Sequence, residues 1–165
     1  MKKLILLAVF VFGATFYSET QAQTISENAL GLRLGGSDGV GAEVSYQRAV
    51  GTNNNRLEFD LGWRNANNFD AFKLVGLYQW VWNIDGGFNW YVGAGGGLGS
   101  VDDKRNDFDD DGTFLFLAGD IGIEYNFDIP LLISLDVRPE FGFHDDNSVL
   151  NDFSPDFALG LRYQF

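Results

Sequence analysis

The stretch 133–141, ISLDVRPEF, alternates apolar and polar residues with hardly an error. One phase holds Ile133, Leu135, Val137, Pro139 and Phe141; the other holds Ser134, Asp136, Arg138 and Glu140. A period of two marks a strand, whose successive side chains point to opposite faces. The constraint is severe, because such a strand cannot bury both sets in ordinary core. Either the charges face water and the aliphatics a core, or the charges face inward and the aliphatics face lipid.

The pattern recurs along the chain. Alternation predicts eight strands, at 28–35, 40–48, 55–64, 71–82, 88–99, 113–127, 131–142 and 153–165. No segment sustains a 3.6-residue period, so no helix is expected. Compact turns follow strands two, four and six, at 51–54, 83–87 and 128–130, whereas the connections at 100–112 and 143–152 are long and polar. Short turns at one end and longer loops at the other fit an up-and-down meander of the outer-membrane kind. Only the connection around Ser37, Asp38 and Gly39 is shorter than that scheme asks.

Alternation alone also fits a soluble barrel of the lipocalin type, but three features favour lipid outside. The polar phase mixes charges with glycine: Gly31, Arg33, Gly35; Arg56, Glu58, Asp60, Gly62, Arg64; Ala118, Asp120, Gly122, Glu124, Asn126; Asp156, Ala158, Gly160, Arg162, Gln164. Glycine weakens a water-facing strand, but it makes room inside an eight-stranded barrel, which is barely wide enough for side chains. The opposite phase is bulky, as in Leu57, Phe59, Leu61, Trp63 and in Phe157, Leu159, Leu161, Tyr163, Phe165. Aromatics also fall in two rings, the pattern a bilayer selects at its interfaces. Trp63, Phe72, Phe114, Phe116, Phe141 and Phe157 form the outer ring; Tyr46, Trp80, Trp82, Trp90, Tyr125, Tyr163 and Phe165 form the inner one. Strand four is apolar in both phases, and Lys73 and Gln79 set its inner face.

The first 22 residues read differently. Lys2 and Lys3 precede an apolar run from 4 to 16, and Thr20, Gln21 and Ala22 supply a small-residue exit. This is a secretory signal peptide, leaving one barrel domain at 23–165. The absence of cysteine removes disulfides from an exported chain and, with a single histidine, the usual zinc sites. Removing Lys2, Lys3 and Glu19 from 11 basic and 23 acidic residues leaves nine against 22, net −13, which excludes a nucleic-acid partner built on basic stripes.

The ending Gly160-Leu161-Arg162-Tyr163-Gln164-Phe165 resembles the C-terminal assembly signal of outer-membrane barrels at Gly160, Tyr163 and Phe165, although Ala158 replaces the usual polar residue. The mature chain as a whole resembles the small OmpA/OmpX-type eight-stranded barrels, in particular the glycine-rich outer-membrane barrel proteins of Bacteroidota. The segments 90–97, WYVGAGGG, and 135–141, LDVRPEF, carry that resemblance. It implies an all-β antiparallel transmembrane barrel in the cell outer membrane. It also implies contact with outer-membrane lipid, delivery by the barrel assembly machinery, and a monomer. With the chain ending on strand eight, no cell-wall-binding domain is expected.

Facing inward, the polar phase gathers Arg33, Glu43, Arg56, Glu58, Asp60, Arg64, Lys73, Asp120, Glu124, Asp136, Arg138, Glu140 and Arg162. Carboxylate pairs suit acid–base catalysis, and a charged lumen suits a narrow pore. A salt-bridged plug is the expectation, because unpaired charges in so narrow a space are costly. Asp107, Asp109 and Asp111, followed by Gly112, open like a calcium loop, but position twelve is Ala118 rather than glutamate. At most a weak external calcium site is therefore expected, and no cofactor. His144, with Asp145, Asp146 and Ser148, has the residue types of the outer-membrane barrels that deacylate lipid A, yet lies in a polar loop with no apolar frame for an acyl chain. The expected function is non-enzymatic, in envelope integrity or surface contact through acidic loops, with a small channel and a lipid-A-modifying enzyme as alternatives. Pro139 predicts a bulge or the end of regular pairing.

Overall fold

The computed structural model describes residues 25–35, 41–65, 69–103, 112–143 and 153–165. Eight strands follow one another: β1 (Asn28–Gly35), β2 (Gly41–Val50), β3 (Asn55–Asn65), β4 (Phe69–Asp85), β5 (Phe88–Asp103), β6 (Gly112–Asn126), β7 (Leu131–Phe143) and β8 (Phe153–Gln164). Each pairs antiparallel with its sequence neighbours, and β1 closes on β8 from Ala29↔Gln164 to Gly35↔Ala158. Closure leaves no free sheet edge. There is no helix among the described residues.

The three compact turns lie at the end of the barrel that also holds the two chain ends of the described fold. At the β2–β3 turn Gly51 and Asn54 adopt φ of 72° and 53°, the left-handed region that these two residue types tolerate. At the β4–β5 hairpin the Asn83 amide donates to the carbonyls of Gly86 and Phe88, at 2.9 and 3.1 Å. A register shift between Asn83 and Asp85 lets the hairpin run three residues past Trp82 before turning. Polar Asn83 and Asp85 break the apolar rhythm there, so alternation stops short of the true strand end.

The two faces of the wall differ completely. Leu30, Leu32 and Leu34 of β1, Phe59, Leu61 and Trp63 of β3, and Leu117, Ile121 and Ile123 of β6 are exposed on the outside. Arg33, Arg138 and Arg162 lie inside, each 1% exposed or less. Arginine is almost never buried so fully unless paired, and a continuous apolar coat of this extent is foreign to a soluble monomer. Exposed Trp63, Phe72, Phe141 and Phe157 ring the loop end. At the turn end Trp82 stacks on Trp90 at 4.6 Å, and Tyr125 packs between Phe88 and Phe127 at 4.6 and 4.7 Å.

Two expectations are corrected, the second in part. Phe116 is an interior residue, buried with Val75, Leu77 and Ala118, and Phe114 packs against the same cluster. The cause lies across the seam, where a Cβ on Gly97 or Gly99 would come within 2.4 Å of the Phe116 or Phe114 ring. The glycine face of β5 is therefore the floor on which those rings lie. Pro139 causes no bulge and does not end β7, which keeps its register against β6 and continues to Phe143, but regular pairing with β6 is interrupted there, with no pair between Ala118↔Glu140 and Ile121↔Val137.

Candidate functional site in the barrel lumen

Strand parity brings the inward charges to a few levels along the barrel axis. Arg33 donates to Asp136 through Nε and Nη2 at 2.9 and 2.5 Å, and through Nη1 to Asp156 at 2.9 Å and Glu43 at 3.1 Å. Arg138 reaches across the lumen to Asp60, to Glu43 at 3.2 Å and to Glu58 at 3.4 Å. Toward the loop end, Lys73 Nζ lies 2.5 Å from Glu140 and 5.4 Å from the centre of the Phe116 ring. These contacts link β1, β2, β3, β4, β7 and β8, which no sequence-local interaction could do.

Below them, Arg162 donates to the Ser45 and Ser134 hydroxyls at 2.9 and 2.8 Å and lies 3.3 Å from Glu58. Gly160 makes that possible, since a Cβ there would meet the Arg162 guanidinium at 2.4 Å. Glu58 also accepts from the Gln47 amide at 2.5 Å and from the Gln79 amide at 3.2 Å. Arg56 donates to Gln79 Oε1 at 2.5 Å, lies 2.7 Å from Glu124, and sits 4.8 Å above the Tyr91 ring. Asn89 donates to Glu124 at 3.1 Å, and Gln164 to Asn126 at 2.8 Å. At the turn end Ile25, Val81 and Tyr91 form an apolar cluster with Ala49 against it.

Asp120 differs from the other inward carboxylates. It accepts from the Gln79 amide and is ion-paired to no described residue, and its Oδ1 is buried without a partner. Arg138, which the register places opposite it on β7, gives its hydrogen bonds to Glu43, Glu58 and Asp60 on β2 and β3 and attracts Asp120 only beyond ion-pair distance. Among the residues whose side chains are described, five cations (Arg33, Arg56, Lys73, Arg138, Arg162) face eight carboxylates (Glu43, Glu58, Asp60, Asp120, Glu124, Asp136, Glu140, Asp156). The inward members Asp156, Ser45, Ser134, Gln47 and Asn89 complete the network beyond the charged set singled out from sequence. Strand parity was the available signal for each of them.

The other sequence candidates fall elsewhere. Gly160 is buried and faces the lumen, whereas Tyr163 and Phe165 are exposed on the wall with their rings 6.2 Å apart. Phe165 is tied to β1 by paired backbone bonds with Asn28, at 2.9 and 3.1 Å. The segment 1–22 expected to be a leader, the loop bearing Asp107, Asp109 and Asp111, the loop bearing His144 and Ser148, and the side chain of Arg64 lie outside the described residues. No group of three or more metal-ligating side chains occurs among the described residues.

A closed, eight-stranded antiparallel barrel with its charges inside and its bulk outside has the architecture of the small outer-membrane barrels. The comparisons agree on that fold. The N-terminal β-barrel domain of Pseudomonas aeruginosa OprF superposes with a TM-score of 0.67 at 13% identity, covering 85% of this chain and 98% of that one. Neisserial surface protein A gives 0.61 at 17% identity over 84% and 94% of the two chains. Ail, the attachment invasion locus protein of Yersinia pestis, gives 0.58 at 15% identity over 85% and 97%. No protein-family model matches the sequence, and no curated protein matches it significantly.

Proposed function

We propose that this chain is an integral outer-membrane protein whose lumen is a closed polar core rather than a catalytic or conducting site. On this reading it is exported by its leader, and it acts without enzymatic chemistry, in envelope integrity or surface contact through its acidic outer loops. One observation supports the closed core above all: Arg33, Arg138 and Arg162 fill the barrel and spend their guanidinium groups on its carboxylates and serines. A general acid or base needs access to substrate, and these groups have none. Location in the outer membrane is supported by the apolar coat, the two aromatic rings and the fold of the neighbours.

A small channel is the second reading, favoured by the surplus of inward carboxylates, which would make any current cation-selective. Two measurements test these readings together: planar-bilayer conductance of the refolded protein, and mass spectrometry of lipid A from a deletion strain. No current and unaltered acyl chains are expected. A steady cation-selective conductance would replace the closed core with a pore, and a changed acyl pattern would replace it with an enzyme.

A further inference from the structure

Seven of the eight seams of the wall are joined twice, once by the backbone ladder and once by side chains. Arg33–Glu43 bridges β1 and β2, Gln47–Glu58 β2 and β3, Arg56–Gln79 β3 and β4, and Asn83–Asn89 β4 and β5. Asn89–Glu124, Arg162–Ser134 and Arg33–Asp156 do the same for β5–β6, β7–β8 and β8–β1. Between β6 and β7 no side-chain hydrogen bond or ion pair is found among the described residues. The inward groups of β6 bond to β3, β4, β5 and β8, and those of β7 to β1, β2, β3, β4 and β8.

The ladder of this seam is broken as well. Pairing runs from Leu115↔Phe143 to Ala118↔Glu140 and resumes at Ile121↔Val137 in unchanged register. The two missing pairs would be Gly119 with Pro139 and Asp120 with Arg138. In an antiparallel ladder the N–H and C=O of one residue face the same neighbour, and successive residues face opposite neighbours. Phe127 N–H donates to the Leu131 carbonyl, so odd-numbered residues of β6 and β7 face each other. The donor that Pro139 lacks is thus the one that would reach Gly119. Consistently, the β7–β8 ladder passes unbroken through Pro139↔Pro155. On the outer face the proline ring lies against Gly119, where a Cβ would stand 3.2 Å from Pro139 Cγ.

We infer that the β6–β7 seam at Gly119 and Pro139 is where the wall parts sideways, a lateral opening between the lumen and the surrounding membrane. Parting at this point meets no side-chain bond made directly between β6 and β7 and one ladder donor fewer. The weakness is local to the proline: the seam as a whole has ten residue pairs against seven for β8–β1, and Gln164–Asn126 spans it only at the turn end. Parting uncovers Ala118 and Asp120 on one lip and Arg138 and Glu140 on the other. Asp120, the carboxylate without an ion pair, lies at the gap itself.

Parity gives the test a built-in control. Hydrogen exchange is followed by NMR on the refolded protein in lipid nanodiscs, each rate corrected for its intrinsic sequence-dependent value. The amides of Gly119, Ile121 and Val137 face the seam; those of Asp120, Asp136 and Arg138, on the same strands, face β5 or β8. Protection is expected to be at least tenfold lower for the first set than for the second. Pro139→Val, which restores the donor, should bring the two sets to within about threefold. Equal protection of the two sets in the unaltered protein would overturn the inference, whether or not the variant folds. So would lower protection at the β8–β1 seam, for example at Leu32 and Leu161, than at Gly119. Both readings of the lumen, closed core or pore, leave this outcome open, so it fails or stands separately from them.

Discussion

Arg138→Met tests whether the charges lie sealed inside the barrel. Methionine keeps most of the side-chain volume and removes the charge, so the loss isolates the electrostatic role. Arg138 is fully buried, and its partners differ in what remains to them afterwards. Glu43 keeps Arg33, and Glu58 keeps Arg162, Gln47 and Gln79. Asp60 has no second cation within ion-pair distance among the described residues, Arg162 attracting it only from further off, and its Oδ1 is already without a hydrogen bond. The cost therefore falls mainly on Asp60, and removing one partner of a buried pair costs about 3–5 kcal/mol. Asp60→Asn in the same chain removes the stranded charge and should recover about half of that loss, since replacing both partners is far milder than removing one. Urea unfolding in lipid vesicles, read by fluorescence of the four tryptophans, measures all three variants. Arg48→Ala is the exposed control: its 2.8 Å pair with Glu27 lies on the surface, and such pairs are worth at most about 1 kcal/mol. A loss below about 0.5 kcal/mol for Arg138→Met, the range of ordinary surface changes, would refute the sealed interior.

Val137→Arg puts a charge on the coat opposite Ile121. It is expected to cost about 2–4 kcal/mol at the bilayer midplane in the same urea assay, while a soluble-barrel orientation predicts no such depth dependence. Deleting Phe165 removes the paired backbone bonds to Asn28 and the terminal aromatic; outer-membrane levels should fall while export across the inner membrane continues, and normal levels would deny the residue an assembly role. Calorimetry at millimolar calcium should show at most weak binding, abolished in Asp109→Ala/Asp111→Ala; an unchanged isotherm in that variant would place any calcium elsewhere.

Strand positions and the orientation of the wall were legible wherever one phase held charges, as in β3, β7 and β8. Legibility failed where both phases were apolar. Thr113-Phe114-Leu115-Phe116-Leu117 offers no polar phase, so its aromatics resemble an interface ring. Counting back in twos from inward Asp120 turns Phe116 and Phe114 inward instead. The pairing of the charges could not be read at all, because Arg33 meets Asp136 across 103 residues and Lys73 meets Glu140 across 67. Which cation meets which carboxylate depends on barrel closure and the reach of each side chain, and neither is a local property. Pro139 was readable as a lost donor, but only the ladder shows that its neighbours hold register around the loss.

The alternation of coat and lumen also sets how such a chain can change over generations. A coat that meets lipid asks only for apolar bulk, so Leu32, Ile123 or Leu161 can be exchanged for other hydrocarbon side chains with little effect. The lumen asks that volumes and charges balance across distant strands, so Arg33 or Asp60 can change only in concert with a partner. Every second residue is therefore free to drift while its neighbour is held by an agreement with another strand. A systematic mutational scan should display that as a two-residue rhythm of tolerance.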